Sequence, residues 1–415
     1  MAHPTTRLLG SLIPPLELSV DDARLVDEFQ LVIDRDLVPL ARGNDARGRF
    51  PTEAVAVLKR SGILAASVPK ADGGPGLSTV ALLEVKARLA AVDPPLAQLF
   101  KTHDELVREI AIYCPPARRR RFLDDVLGGA FIGLAVAEGT RTVGDPLRTI
   151  ASRTDDGGWV VDGTKIYTTG AAEADWIALW AFDPTAATAE NPVTGMVQFL
   201  VPRDHPGVTV HRDWDVMGQR ATDSGTITFD QIRLGEDDRS NAVGFGPLPW
   251  TSVLYQIGFA AVLVGAGIGA LRQAAEFVTT RSRPWPTSGA ENAGDDPLVR
   301  RKTGELATEL AAAYALTMQA GALLESMEDP AHWFPRAPYA VPIYAAKAAA
   351  SRAAVHATTE VFALAGTRSV SSSVGWDRLW RDVRTMALHD PLDWKFEEIG
   401  HHVLTGWEPP PGIYQ

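Results

Sequence analysis

The chain has 415 residues, of which 46% are hydrophobic and 22% are charged. This length suggests two or three domains, and the ordinary composition excludes wholesale disorder, collagen and coiled-coil rods. The 40 Lys and Arg against 51 Asp and Glu give a net charge of −11, which argues against nucleic-acid and anionic-membrane partners. The single cysteine, Cys114, excludes an intrachain disulfide. We therefore expect a soluble, cytoplasmic enzyme of several domains.

The pattern of apolar residues divides the chain into three predicted domains. Residues 1–130 carry apolar side chains at helical spacing, as at Leu25 and Phe29 of the first predicted helix. Residues 131–238 contain short runs rich in β-branched and aromatic residues, separated by glycine-containing turns, and these predict a small β-sandwich or barrel. Residues 239–415 return to long, alanine-rich segments that predict a helical domain.

One apolar segment in the third domain allows three interpretations. Residues 240–271 include no charged side chain, and Val253–Leu271 is long enough to cross a membrane. Gly265, Gly267 and Ala270 also match the G-x-G-x-x-G/A spacing of a dinucleotide-binding turn. No second strand and no second apolar span follows, so we predict a buried helix instead. Its small residues suit close helix packing, within a subunit or across an oligomer interface.

Four short sequence strings are informative when they are taken together and in their order along the chain. They lie at residues 61–78, 135–145, 162–170 and 377–384. These strings resemble the N-terminal signature, the flavin-side loop, the strand beside the flavin ring and the helix before the active-site corner of the acyl-CoA dehydrogenase family. The resemblance covers about residues 20–406. It implies a mostly α fold, with an N-terminal helical domain, a central β-domain, a C-terminal four-helix bundle and assembly into a homotetramer.

The chain departs from that family at the catalytic base. Acyl-CoA dehydrogenases abstract a proton with a glutamate, but one family position falls on Asp390 and the other near Tyr255. Asp390 is one methylene shorter than glutamate, and the Asp-Pro sequence favours a helix N-cap there. General-base catalysis depends first on reach, so the change argues against α,β-desaturation. An FAD-dependent acyl-CoA dehydrogenase with Asp390 as base stays as the alternative.

A histidine stands where the family usually has its glutamate. The string ending in His389-Asp-Pro, the position of His103 and the string at 218–226 resemble the flavin-dependent monooxygenase branch of the family, of the dibenzothiophene monooxygenase type. This resemblance implies reduced FMN, supplied in trans by a separate NAD(P)H:flavin reductase, with FAD as the alternative cofactor. It also implies O2 as co-substrate and a C4a-hydroperoxyflavin that transfers one oxygen to a small apolar or aromatic S-, N- or C-substrate.

The resemblance also assigns roles to individual residues. Histidine titrates near neutral pH and suits proton transfer, and a helix that starts after His389 should disfavour its charged form. A hydroxyl beside the flavin N5 would stabilise the reactive flavin. The predicted catalytic residues are His103, Thr168, Thr169, His389 and Asp390. The predicted contacts of the flavin ring are Ala137, Tyr167 and Thr169.

Anion binding is the remaining requirement, because FMN carries a phosphate. Arg281 matches the family's phosphate arginine, Arg283 is the near alternative, and Gly366 falls where the family approaches the flavin phosphate of a neighbouring subunit. We predict no metal site, since adjacent helical residues such as His401 and His402 point about 100° apart. A non-catalytic scaffold with the same fold is a further hypothesis.

Overall fold

The computed structural model describes six stretches of the chain: residues 12–13, 16–139, 145–188, 192–241, 249–327 and 335–410. The N-terminal part is helical. Its helices are α1 (Val20–Val32), α2 (Ala41–Arg47), α3 (Thr52–Ser61), α4 (Thr79–Ala90), α5 (Pro94–Tyr113) and α6 (Pro116–Leu127). Local sequence signals set their ends: Ser78 and Asp93 cap α4 and α5 by accepting backbone N–H bonds, and α3 stops at Gly62, whose φ is 76°.

The central part is one curled seven-stranded sheet. Its strands are β1 (Ile132–Ala135), β2 (Ile150–Arg153), β3 (Trp159–Lys165), β4 (Trp176–Phe182), β5 (Met196–Pro202), β6 (Val208–Val210) and β7 (Ile227–Leu234). They follow the order β1-β4-β2-β3-β7-β6, and β5 pairs with β4. The aromatic and β-branched runs supply the sheet's own core, which includes Trp159, Phe199 and Phe229.

Helices return after the sheet. They are α7 (Pro249–Arg281), α8 (Pro297–Glu325), α9 (Ala337–Ala365), α10 (Asp377–Met386) and α11 (Leu392–Thr405). The predicted fold class, with a β-domain between an N-terminal helical domain and a C-terminal helical bundle, is thus confirmed.

The helix α7 contains most of the uncharged segment of the sequence. It is long and apolar enough to cross a membrane, but 94% of its most apolar window is buried by other parts of the protein. Cβ atoms added at Gly265 and Gly269 would lie 2.3 and 2.2 Å from the carbonyl oxygens of Ala87 and Ala91. The glycines therefore allow α4 to approach α7 within the chain, and they form neither a nucleotide-binding turn nor a subunit contact.

The helices α7 and α9 run parallel to each other. In their N-terminal halves, Lys347 of α9 lies beside Phe259 of α7. Near their second halves, Arg368, just after α9, donates to the carbonyl oxygen of Arg281 at 3.2 Å. The candidate site lies at the first of these two positions, where α5, α7, α9 and the turn between α10 and α11 meet.

Candidate active site

One wall of the site comes from the β-domain. Tyr167 follows β3 with a left-handed φ of 53°, and its side chain is 63% exposed. Just before it, Ile166 N–H donates to Ala137 O at 2.9 Å. The buried Lys165 donates to Glu138 at 2.7 Å, so an ion pair fixes the segment after β1, which carries Ala137, against β3. Residues 140–144 of the predicted flavin-side loop lie outside the described residues.

A row of hydroxyl groups continues this wall. Ser224 Oγ lies 3.2 Å from Thr169 Oγ1 and 2.7 Å from Thr222 Oγ1. Thr169 is half-buried, so its hydroxyl has access to the space beside the sheet. Thr168 differs: it is fully buried and donates to Gly225 O at 2.7 Å. The structure therefore makes Thr169 a candidate flavin contact and gives the hydroxyl of Thr168 a partner inside the β-domain.

The loop that carries Ser224 rests on helix α10. Gln219 N–H donates to Asp382 Oδ1 at 2.6 Å, and burial raises the pKa of Asp382 to about 7. A Cβ at Gly218 would lie 2.0 Å from Arg381 O, so only glycine allows this close approach. The loop and the helix are thereby held together, and the turn after the same helix carries His389.

The second wall is built around His389. Its ring packs on Phe259 with centroids 4.2 Å apart, and Nδ1 lies 3.2 Å from Asp390 Oδ1. Desolvation, together with the cations of Lys347 and Lys101, holds the pKa of His389 well below its usual value, although 41% of the side chain is solvent-accessible. Because a carboxylate only accepts, the contact with Asp390 favours the Nδ1–H tautomer, in which Nε2 is an acceptor.

The structure corrects the predicted role of Asp390. The N-cap of α11 is Pro391, and no side chain caps this helix end. Asp390 is instead 7% exposed, forms an ion pair with Lys347 and lies 3.4 Å from Gln256 Nε2. His389 is held neutral as expected, but burial and nearby lysine cations, rather than a helix dipole, are the cause.

The sequence reasoning missed a group of buried charges next to His389. Lys101 donates to Glu105 at 2.7 Å, and its ammonium lies 3.8 Å from the centre of the Phe259 ring. A Cβ at Gly258 would lie 2.1 Å from Glu105 Oε1, so this glycine makes room for the carboxylate. Burial raises the pKa of Glu105 to about 7. The i, i+4 spacing of Lys101 and Glu105 was the available signal, but it is typical of exposed helix faces too.

His103 lies apart from this group. Its Nε2 is 2.8 Å from Leu64 O, and its Nδ1 accepts from Ile132 N–H at 3.0 Å. The ring is fully buried and stacks on Phe131, and burial lowers the pKa of His103 to about 4. The two ring nitrogens of this α5 residue thus bond backbone groups of the turn after α3 and of β1.

The predicted phosphate-binding residues lie at the other end of the bundle. Arg281 and Arg283 are exposed, and Gly366 is open, with a φ of 74° and no atom near an added Cβ. Phe259 precedes Arg281 by 22 residues on one continuous helix, which corresponds to ~33 Å. Within one chain, these arginines and His389 therefore cannot contact the same flavin mononucleotide.

Family comparisons agree with this architecture. The acyl-CoA dehydrogenase N-terminal domain matches residues 20–130, the middle domain matches residues 133–232, and the C-terminal domain matches residues 257–394. These matches cover most of the chain, which therefore belongs to the acyl-CoA dehydrogenase family.

Individual relatives point to one branch of that family. The chain is 32% identical to a dibenzothiophene monooxygenase of Mycolicibacterium goodii, over 89% of this chain and 91% of the relative. It is 29% identical to the probable FMNH2-dependent monooxygenase SfnC of Pseudomonas putida, over 89% and 92%. FMN-bound TdsC from Paenibacillus sp. A11-2 superposes with a TM-score of 0.87 at 29% identity, over 94% of this chain and 100% of TdsC. The predicted resemblance to the monooxygenase branch is confirmed.

Proposed function

We propose that this protein is a two-component, FMNH2-dependent monooxygenase that inserts one oxygen atom of O2 into a small apolar or aromatic S-, N- or C-substrate. A separate NAD(P)H:flavin reductase supplies the reduced flavin. The observation that carries the proposal is His389: a neutral histidine, fixed by Asp390, stands beside Phe259 at the corner where dehydrogenases of this family need a carboxylate base. The similarity to FMNH2-dependent and dibenzothiophene monooxygenases supports it.

The residues of the β-domain wall fit a flavin ring. The half-buried Thr169 has one hydroxyl proton to donate and lone pairs to accept, and the row through Ser224 fixes its orientation. The Tyr167 turn and the backbone at Ala137 offer a surface beside this hydroxyl. Reduced FMN, when bound there, supplies the electrons that activate O2. The Thr169 hydroxyl would accept a hydrogen bond from the flavin N5–H and so retain that proton.

His389 acts as the proton-transfer group. Its Nε2 accepts a proton during oxygen transfer, and Asp390 stabilises the cation that results. Lys347 pairs with the Asp390 carboxylate, although burial holds the pKa of Lys347 well below its usual value. Phe259 covers one face of the ring and excludes water from it.

The phosphate of the flavin needs a second subunit in this proposal. Arg281, Arg283 and Gly366 lie too far from Phe259 along α7 to serve the same chain's flavin, at ~33 Å. They are exposed, and Arg368, two residues after Gly366, donates to the carbonyl oxygen of Arg281. We therefore place them at the flavin phosphate of a neighbouring subunit in a homotetramer.

The test separates the three hypotheses by cofactor and product. The purified protein is titrated anaerobically with FMNH2 and with FAD, and the FMNH2 complex is then mixed with 18O2 and indole as a probe substrate. We expect FMNH2 uptake and incorporation of one labelled oxygen atom. Tightly bound FAD that an acyl-CoA bleaches without O2 would establish the dehydrogenase alternative. Failure to bind either flavin would leave only the hypothesis of a non-catalytic scaffold.

A further inference from the structure

A second cavity lies further along the same face of helix α5. Arg108 follows Lys101 by seven residues, which places it on the same side of the helix and ~10 Å further on. The cavity beside it measures ≈ 390 Å³, within the range of sites for small organic ligands. Its lining has an apolar part, which includes Leu77, Ala111, Ile112, Trp250, Leu324 and Met327, and a polar part that is formed by Ser67, Lys70, Thr79, Arg108 and Glu325.

Arg108 brings unused hydrogen-bonding capacity to this cavity. A guanidinium has five N–H donors. Among the residues that the structure describes, only Thr79 Oγ1 accepts from Arg108, at 2.9 Å, while the indole of Trp250 lies 5.0 Å from the guanidinium carbon. The remaining donors are therefore available to a molecule in the cavity, which Arg108 helps to line.

The surrounding carboxylates do not satisfy this cation. Asp104 is held by the buried Lys86 at 2.5 Å, and Glu105 is held by Lys101 at 2.7 Å. Glu325 lines the cavity from its exposed edge, and in the described part of the chain no carboxylate comes within ion-pairing distance of Arg108. A positive charge with donors to spare thus faces a cavity that has both a polar and an apolar part.

We propose that this cavity is a second ligand site, separate from the candidate active site, that binds a small organic carboxylate with a short apolar chain. The planar guanidinium of Arg108 pairs with the carboxylate, as arginine does in bidentate contacts. The apolar chain lies against Trp250, Ile112 and Leu324. A purely apolar molecule would leave the Arg108 donors unsatisfied, and a bare inorganic anion would leave the apolar lining uncovered.

Calorimetric titration of the full chain tests both parts of the ligand. The probes are hexanoate, 1-hexanol as its uncharged counterpart and inorganic phosphate as an anion without an apolar part. We expect hexanoate to bind at least tenfold more tightly than either of the others. Phosphate binding as tightly as hexanoate, or the absence of any hexanoate binding at millimolar concentration, would overturn the proposal.

Variants assign the binding to this cavity. Arg108→Gln should weaken hexanoate at least tenfold and leave 1-hexanol unchanged, while Arg120→Gln, on an exposed arginine of the next helix, should change neither. Ala111→Phe keeps Arg108 but fills the cavity, so it should weaken the binding of both hexanoate and 1-hexanol. This variant tests the site even if Arg108→Gln does not fold. Hexanoate binding that survives Ala111→Phe in a folded protein would place the ligand elsewhere and refute the site.

Discussion

The surroundings of His103 and His389 differ in what holds each ring. At the junction of α5 and β1, two backbone groups occupy both nitrogens of His103, and the ring is fully buried. Where α7 and α9 meet the turn after α10, a side chain, Asp390, holds one nitrogen of His389, and 41% of its side chain stays accessible. Burial disfavours the charged form of both rings, but only the second is accessible from solvent.

The two histidines also differ in what lowers the pKa of each ring. The neutral state of His103 follows chiefly from burial, as expected for a group that fastens two backbone segments. For His389 the lysine cations add to desolvation, and one of them, Lys347, also secures its carboxylate partner. A histidine tuned by neighbouring charges and left accessible is typical of functional sites, whereas one closed by backbone contacts is typical of structural ones.

The largest expected effect comes from removing the accessible histidine. We expect His389→Ala to lower the rate of oxygenation by ~10²- to 10⁴-fold, the usual contribution of a general acid or base. Flavin uptake should persist, because the imidazole does not belong to the β-domain wall. Turnover with FMNH2 and O2 measures the first effect, and anaerobic titration measures the second.

A histidine of the loop between β5 and β6 provides the matched control for this variant. His205 is half-buried, accepts from Gly207 N–H at 3.1 Å and belongs to neither wall of the candidate site. His205→Ala should therefore keep the wild-type rate. Equal rates for His389→Ala and His205→Ala would remove His389 from the mechanism.

The ion pair behind His389 should dominate the stability of this region. Lys347→Ala leaves the buried Asp390 carboxylate without its cation, and breaking such a pair costs ~3–5 kcal/mol of unfolding free energy. Lys347→Met combined with Asp390→Asn should recover part of that loss, since no unpaired charge remains. Urea unfolding of the three proteins measures both effects. Lys302 forms a partly exposed pair with Glu360 and serves as the control. Lys302→Ala should unfold nearly like the wild type.

The other histidine should affect stability and not turnover. His103→Ala leaves Leu64 O and Ile132 N–H buried without their partner, at ~1–3 kcal/mol for each group. We expect a lower urea midpoint and an unchanged kcat for the folded fraction. A hundredfold loss of kcat at wild-type stability would instead return His103 to the catalytic residues and erase the contrast between the two regions.

The sequence was sufficient for the architecture because its signals are local or periodic. Apolar spacing predicted the order of helices, sheet and helices, and the glycines of α7 predicted close packing. The site was harder because its contacts join distant parts of the chain. The Asp-Pro sequence predicted that Asp390 caps a helix, but its ion pair with Lys347, 43 residues earlier, determines its role. Lys101 and Glu105 lie on a helix that is buried on almost all sides. No local sequence pattern predicts this burial. The roles of Thr169 and His389 in catalysis stay predictions.

The smallest effects are opposite pH dependences in two regions along α5. Burial lowers the pKa of His103 to about 4, so the unfolded chain binds the extra proton between pH 4 and its usual value of 6.5. The contribution of His103 to stability is complete above pH 6.5 and is lost as the pH falls towards 4. Burial raises the pKa of Glu109 to about 7, although Tyr255 and Gln198 donate to it. Its contribution is complete below about pH 4.5 and is lost as the pH rises through 7.

Two neutral variants separate these contributions from the rest of the protein. In urea unfolding, the stability advantage of the wild type over His103→Gln should grow by up to ~3 kcal/mol between pH 4 and 6.5. Its advantage over Glu109→Gln should shrink by a similar ~3 kcal/mol between pH 4.5 and 7. Glu105 shares the sign of Glu109, so only the difference between wild type and variant isolates one group. Parallel pH profiles for both pairs would mean that burial does not hold these two side chains neutral, and the structural account of His103 would then fail.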